Sequence, residues 1–295
     1  MRYCLFSVLC FFSALCQGEI RVTDDLGRNL QLEKPAQRIV SLAPHITEVL
    51  FEIGAGENIV GAMEYSDYPE AAKRILRVGS HQKISYETLV SLEPDLVLAW
   101  NANNGRDIVG RLETLGIPVY VGDPSTLADV GDMLGVFAQL TGKVEQGRKA
   151  QQSYQKRLQQ LRQANTSKQS VMVFYQVWHQ PLMTLNGDSL ISNVIELCGG
   201  TNLFADAKPK VPRLNVESVI AANPRVIVAS GADETRPPWL DDWLKWPSIS
   251  AVKNSHLYWI DPDILHRHSP RILLGAEQVC GHLDRVRADI SSSNP

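Results

Sequence analysis

The sequence lacks the features that mark three large functional classes. It carries 29 lysines and arginines against 32 aspartates and glutamates, so no basic excess favours nucleic acid. After residue 18 it has no run of about 18 apolar residues, the length that a membrane-spanning helix needs. The glycine-containing segment 135–143 lacks the spacing of a phosphate-binding loop. We therefore expect no nucleic-acid partner, no membrane span beyond the N-terminus and no nucleotide-driven reaction.

Cysteine is scarce, and most of it lies near the N-terminus. Of the five cysteines, Cys4, Cys10 and Cys16 lie in or beside the first apolar segment, and only Cys198 and Cys280 follow it. Two cysteines in an exported protein predict one disulfide bond. The alternative is a pair of buried free thiols.

The first 18 residues have the pattern of a secretory signal peptide. Arg2 provides the positive charge, and an apolar run from Leu5 to Leu15 follows it. That run is too short to anchor the chain in a bilayer by itself. We predict that residues 1–18 direct export, with cleavage after Cys16 or Gly18. Lipidation of Cys16 is the alternative, although leucine is a poor residue to precede a lipidated cysteine.

From residue 38 the chain alternates apolar strands with helices. Buried strands that are separated by helices predict βαβ units and a mainly parallel sheet, hence an α/β fold. The predicted strands are residues 38–42, 59–62, 95–100, 118–121 and 171–175, and the predicted helices are 47–54, 87–92 and 106–115.

A long, mostly polar helix without a strand partner follows. It extends from about residue 142 to 164, with apolar Tyr154, Leu158 and Leu161 at helical spacing. At 1.5 Å per residue such a helix spans roughly 30 Å, enough to cross from one lobe to another. We therefore expect an N-terminal αβ lobe at 19–141, a linking helix at 142–166 and a C-terminal αβ lobe at 167–295.

One unit of the first half recurs in the second half. Residues 87–98 and 217–228 both begin with glutamate, continue as a short helix, reach proline seven positions later and end as a buried strand. Proline stops the helix, and the strand follows it. The repetition indicates two lobes built on one plan, and chance similarity between two ordinary αβ units is the alternative.

Four segments resemble the helical-backbone class (class III) of periplasmic binding proteins, which serve ABC importers of cobalamin, siderophores and haem. These segments are residues 38–48, 64–69, 92–100 and 197–202. The Tyr-Ser-Asp-Tyr-Pro and Ser-Pro-Arg sequences, which end at Pro69 and Arg271, are most similar to those of the cobalamin-binding members. The resemblance extends from residue 38 to about residue 286.

Several expectations follow from this resemblance. It implies two Rossmann-like αβ lobes joined by one long helix, with one ligand between them, and a disulfide between Cys198 and Cys280. It also implies a periplasmic monomer without enzymatic activity or a resident cofactor. Such a protein would carry a corrinoid to the membrane permease of an ABC importer and its ATPase.

The resemblance also implies where the ligand binds. Tyr65 and Trp100 keep the aromatic character expected of the cleft. In contrast, His81, Met183 and Val211 stand where the cobalamin-binding proteins have large aromatic residues. The expected ligand-binding residues are Pro44, Tyr65, His81, Trp100, Trp178, Met183, Asp263 and Arg267.

His81 has two interpretations. Neutral imidazole is a common ligand of cobalt and iron, which would allow His81 to coordinate the metal of a bound corrinoid or haem. Alternatively, His81 donates a hydrogen bond to a ligand arm or is only solvated. Tyr65 is also compatible with haem, whereas a ferric siderophore would favour several cleft arginines and only Arg267 is a candidate. We expect cobalamin or a related corrinoid, with haem and ferric siderophores as the alternatives.

An esterase is a remote alternative. The sequence Gly-Asp-Ser-Leu at 187–190 matches the signature of an esterase family whose serine is the nucleophile. Asp263 and His266 supply an acid and a base that could activate such a serine. The structural alternative is a turn in which Ser189 caps a helix.

Glu87 and Glu217 occupy equivalent positions of the repeated unit. Each stands at the start of a short helix, where the helix dipole favours a carboxylate. The resemblance implies a further role, in which these glutamates dock on arginines of the two permease subunits, one glutamate per lobe.

Overall fold

The structure is a computed structural model that describes residues 19–80, 82–101, 105–231 and 235–292. The predicted signal peptide, including Cys16, lies outside the described residues, and so does His81. No helix in the described ranges combines the length and apolar character needed to cross a membrane.

The N-terminal lobe is built on a parallel sheet. Its strands in the described ranges are β1 (Ile20–Thr23), β2 (Asn29–Leu32), β3 (Ile39–Ser41), β4 (Ile59–Met63), β5 (Arg77–Gly79), β6 (Leu96–Trp100) and β7 (Val119–Gly122). β1 and β2 form an antiparallel hairpin. The other five strands are all parallel, in the order β5-β4-β3-β6-β7.

Helices cover both faces of this sheet, which is why its strands read as continuous apolar runs. The helices are α1 (Pro44–Glu52), α2 (Tyr86–Ser91), α3 (Gly105–Glu113) and α4 (Leu127–Thr141), with 3-10 turns at Gly56–Asn58 and Glu70–Arg74. α1 and α4 pack on one face, and α2 and α3 pack on the other.

The linking helix is α5 (Val144–Asn165), whose 22 residues span about 33 Å. It begins just after α4, a helix that the sequence pattern did not predict. Gly142 ends α4 with a φ of 71°, in the left-handed region that favours glycine. The first half of α5 packs against α4, where the Tyr154 hydroxyl donates to the Leu127 carbonyl at 2.8 Å.

The C-terminal lobe repeats the plan of the first. Its described strands are β8 (Val171–Gln176), β9 (Trp178–His179), β10 (Leu182–Met183), β11 (Gly200–Asn202), β12 (Val226–Ala229) and β13 (Leu257–Trp259). Four of them form a parallel sheet in the order β11-β8-β12-β13, which matches β4-β3-β6-β7 strand for strand. β9 and β10 form a separate antiparallel hairpin. The predicted repeat is therefore confirmed.

The helices of this lobe complete the two-lobed α/β fold. They are α6 (Leu190–Leu197), α7 (Val216–Ala222), α8 (Ser250–Lys253), α9 (Pro262–Leu265) and α10 (Ile272–Ser292), with a 3-10 segment at Pro238–Lys245. α10 contacts the second half of α5, where Arg157 forms an ion pair with Glu277 at 2.6 Å. α5 therefore contacts both lobes, as expected of a linking helix.

The predicted disulfide between Cys198 and Cys280 is confirmed. It ties the end of α6 to the middle of α10, and both cysteines are buried. Because it closes a loop between residues 82 positions apart, the chain-entropy model gives a stabilisation of about 4 kcal/mol.

The close approach of α4 and α5 gives a prediction about glycine. A Cβ atom at Gly147 would lie 2.1 Å from the Cβ of Ala138, so the two helices would have to separate. We expect Gly147→Ala to lower the free energy of unfolding by about 1–3 kcal/mol, the usual cost of overpacking. Urea denaturation measures this change.

Gly110 in α3 provides the matched control, because a Cβ atom there would meet nothing within 4 Å. Gly110→Ala should instead raise the free energy of unfolding by about 0.5–1 kcal/mol through helix propensity. Equal effects of the two substitutions would contradict the proposed helix contact.

Candidate functional site

The candidate site is a cleft where segments that follow the carboxyl ends of the two sheets meet. In open α/β sheets, ligands bind beyond this edge. In the N-terminal lobe, Pro44 begins α1 three residues after β3 ends, Tyr65 follows β4, and Trp100 ends β6. In the C-terminal lobe, α9 follows β13 and contains Asp263. The strand order thus brings residues that are distant in sequence to one edge of each lobe.

Tyr65 stands out for its backbone and its exposure. Its φ of 64° lies in the left-handed region, where a bulky residue is uncommon and costs about 1–3 kcal/mol. The residue is 68% exposed. An exposed aromatic ring held by a strained backbone is typical of a binding surface.

On the opposite lobe, the hairpin of β9 and β10 brings two expected site residues together. Trp178 pairs directly with Met183 across the hairpin, so their side chains lie on the same face. The segment around Pro212 runs alongside this hairpin, because the Thr184 amide donates to the Pro212 carbonyl at 3.1 Å. Val211 in that segment and Trp178 are both exposed. Together these three residues provide apolar surface on the C-terminal lobe.

A cluster of three rings connects the two lobes. Trp100 and His45 come from the N-terminal lobe, and His268 comes from the C-terminal lobe. Their ring centroids lie 5.2 to 5.6 Å apart in all three pairs. The Trp100 indole donates to Asp123 at 3.2 Å. This cluster fixes the position of Trp100 and leaves it half-buried.

Ion pairs also cross between the lobes. The Arg267 guanidinium contacts Glu48 and Asp67 of the N-terminal lobe, both at 2.8 Å, and Asp263 of its own lobe at 2.7 Å. Glu48 also accepts from Arg271 at 3.0 Å and from the Ser269 hydroxyl at 2.5 Å. Burial alone would lower the pKa of Arg267, but its hydrogen bonds to Asp67 and Glu48 and the nearby carboxylate charges outweigh burial and raise that pKa. We call these six residues, Glu48, Asp67, Asp263, Arg267, Ser269 and Arg271, the interlobe ion-pair network.

Sequence reasoning predicted Asp263 and Arg267 but missed the other four members of this network. Glu48 and Asp67 both lie within the segments that carry the family resemblance. Their charges, embedded among apolar and small residues, were the available signal. What the sequence could not show is that their partners lie in the other lobe.

A family model described as "Periplasmic binding protein" matches residues 39–264. The chain belongs to the periplasmic binding protein family. Its relatives include a protein named vitamin B12-binding protein from Vibrio cholerae, which is 37% identical over 84% of this chain and 90% of the relative. A protein of the same name from Yersinia pestis is 34% identical over 88% of this chain and 90% of its own length.

Solved structures agree with the fold of this periplasmic binding protein. The crystal structure of the periplasmic vitamin B12 binding protein BtuF of Vibrio cholerae superposes with a TM-score of 0.79 at 36% identity. It covers 86% of this chain and 98% of that one. The periplasmic heme-binding protein RhuT from Roseiflexus, at 24% identity over 85% of this chain and 99% of that one, has a TM-score of 0.76 and shows the same fold.

The residues of the esterase alternative have structural roles. Ser189 is buried and caps α6, because its hydroxyl accepts from the Ser192 amide at 3.1 Å. His266 lies 2.5 Å from the Tyr175 hydroxyl through its Nε2 atom. The described contacts therefore match the helix-capping interpretation of the Gly-Asp-Ser-Leu sequence.

Glu87 and Glu217 lie at matching positions on the surface. Glu87 is the second residue of α2 and Glu217 the second residue of α7, and both are exposed. Ser85 and Asn215 cap these helices by accepting from the amides three residues later. Since the caps are already provided, neither glutamate is needed for that purpose.

Three histidines near the contact between the lobes, the buried His45 and the half-buried His266 and His268, give a prediction about pH. Burial lowers the pKa of His45 well below its usual value of 6.5, and lowers those of His266 and His268 to about 4. In the unfolded chain these imidazoles take up protons near pH 6.5. Between about pH 6.5 and pH 4 the unfolded state therefore binds more protons, and the free energy of unfolding should fall as the pH falls.

Each such histidine contributes a slope of up to about 1.4 kcal/mol per pH unit in that window. We expect His266→Gln to reduce the slope, as measured by urea denaturation from pH 7 to pH 4. NMR of the ring protons should show His266 titrating near pH 4 in the native protein. An unchanged slope in the variant would contradict the lowered pKa of His266.

Proposed function

We propose that this protein captures cobalamin or a related corrinoid between its two lobes and delivers it to the permease of an ABC importer. The observation that carries this proposal is the similarity to BtuF of Vibrio cholerae, a periplasmic vitamin B12 binding protein, over 98% of that chain at 36% identity. The relatives named vitamin B12-binding protein from Vibrio cholerae and Yersinia pestis support it over 90% of their length. Members of this family are periplasmic solute-binding proteins.

The chemistry of the cleft supports a corrinoid. A corrin is large, flat and partly apolar, and it carries amide arms, so it needs apolar surface and scattered hydrogen-bonding groups. We propose that Pro44, Tyr65 and Trp100 contact one side of the ligand and Trp178 and Met183 the other.

Polar contacts would come from the α9 region. We propose that Asp263 and Arg267 bind ligand arms with the hydrogen-bonding capacity that the interlobe ion-pair network leaves free. We propose that His81, which lies outside the described ranges, contacts the ligand and coordinates its metal.

Export precedes capture. We infer that residues 1–18 are a signal peptide and that the mature chain divides into lobes at 19–141 and 167–295 around a linking helix at 142–166. The mature protein is proposed to act as a monomer.

The ligand prediction is tested with the purified mature protein. We expect calorimetry and visible absorption to show one cobalamin or cobinamide bound per chain. Trp100→Ala should weaken this binding by roughly 1–3 kcal/mol, because the ligand loses an aromatic surface. Trp246→Ala removes a tryptophan that packs on Trp243 in the C-terminal lobe and should leave the affinity unchanged.

Two results would overturn this proposal. Saturable binding of haem together with no heat from any corrinoid would assign the protein to haem. A Trp100→Ala variant with wild-type affinity would show that the ligand does not rest on this ring.

Delivery is proposed to use Glu87 and Glu217. Two exposed carboxylates, one on each lobe, would orient the cleft over the permease and speed the encounter by electrostatic attraction. Reversing both charges, Glu87→Arg with Glu217→Arg, should abolish transport and complex formation and leave ligand affinity unchanged.

The matched control reverses two exposed charges elsewhere, Glu57→Arg with Glu196→Arg, and should transport normally. Uptake in cells and co-purification with the permease are the measurements. Normal uptake by the Glu87 and Glu217 double variant would show that these carboxylates serve only their own helices.

A further inference from the structure

The positive charge of Arg267 is already matched before any ligand arrives. Its guanidinium lies within 2.8 Å of three carboxylates, those of Glu48, Asp67 and Asp263. Arg271 supplies the second positive charge, and its guanidinium also lies 3.9 Å above the centre of the Tyr68 ring. Three carboxylates and two guanidiniums leave one net negative charge in the interlobe ion-pair network.

The three carboxylates differ in what they can contact. The Glu48 side chain is only 2% exposed, and both its oxygens are occupied by groups of the opposite lobe. Glu48 is therefore a structural anchor that a ligand cannot reach. The Asp67 side chain is 35% exposed and that of Asp263 is 24% exposed. These two carboxylates are partly open to solvent, so a ligand between the lobes could contact them.

Other charged groups near this position do not reverse its sign. Asp261 caps α9 by accepting from the Asp263 amide at 2.8 Å and adds negative charge on the same side. Burial, followed by the charges of Asp67 and Asp261, raises the pKa of Asp263, while Arg267 opposes this shift. The exposed Lys210 lies close enough to His268, in the neighbouring cluster of three rings, for its charge to add to the effect of burial in lowering the pKa of that histidine. The local environment of Arg267 is thus unfavourable for a further anion.

We propose that Asp67 is a specificity-determining residue: with Glu48 and Asp263 it neutralises Arg267, so that this part of the cleft accepts uncharged amide arms and rejects carboxylates. The inference rests on the proposed corrinoid function and deepens it. An amide arm can accept a hydrogen bond from Arg267 and donate one to Asp67 or Asp263. A carboxylate arm can only accept, and it meets two carboxylates without a free cation.

The preference for amide arms over carboxylates would separate the candidate ligands from one another. Cobalamin and cobinamide carry amide arms, whereas haem carries two carboxylates and ferric siderophores are commonly anionic. In a partly desolvated cleft, one unmatched negative charge beside another is a large penalty. The network would therefore select a corrinoid over its anionic competitors without contacting the macrocycle itself.

The test compares cobalamin with its monocarboxylic acids, in each of which one side-chain amide is hydrolysed. We expect the wild-type protein to bind at least one of these acids about tenfold or more weakly than cobalamin, as judged by calorimetry at low salt. In Asp67→Asn the binding of the same acid should recover, so that the ratio of its affinity to that of cobalamin approaches one. Asp263→Asn provides a second variant with the same expected direction.

The control is Glu52→Gln, which removes one exposed negative charge from α1, the helix that carries Glu48. It should preserve the wild-type ratio between acid and amide. Equal affinities for cobalamin and every acid in the wild type, or a ratio unchanged in both aspartate variants, would overturn the inference while leaving cobalamin binding intact. Failure of the wild type to bind cobalamin at all would instead overturn the proposed function, and this inference with it.

Discussion

The carboxylate of Glu48 is satisfied across the gap between the two lobes. It lies on α1 of the N-terminal lobe, yet its partners Arg267, Ser269 and Arg271 all belong to the opposite lobe. A buried charge that loses its partners costs about 3–5 kcal/mol. The lobes therefore cannot separate at this point without either exposing Glu48 to water or leaving it unpaired. The relative position of the two halves of the cleft depends on this contact.

The rest of the scaffold limits movement around that contact. α5 packs along α4 in its first half and pairs with α10 in its second half, so it acts as a single stiff connection between the lobes. The disulfide fixes α10 to α6 within the C-terminal lobe. Movements that open the cleft would have to bend α5 or rotate the lobes about it. Such a design favours a cleft that is largely formed before the ligand binds, which reduces the ordering cost of binding.

The proposed walls of the cleft combine apolar rings with charges that are already paired. Tyr65, Trp100 and Trp178 supply flat apolar surface, while burial keeps His45 and His268 neutral near pH 7. Arg267, which in isolation would attract anions, is balanced by carboxylates from both lobes. This combination suits a large neutral ligand with polar arms. It also explains how one family fold can serve ligands of different charge, since the fold fixes the positions and the side chains set the electrostatics.

The sequence by itself determined the α/β class, the repeated unit and the approximate bounds of the sheet strands β3, β4, β6, β7 and β8, because strands buried on both faces leave continuous apolar runs and proline marks where the short helices stop. It missed α4, whose buried residues cover much of its surface and leave no clear polar face. Resemblance suggested Arg267 as a site residue, but only the tertiary structure decided how its charge is used. Arg267 and Glu48 are 219 positions apart, and no local pattern records that the folding of two separate lobes brings them into contact.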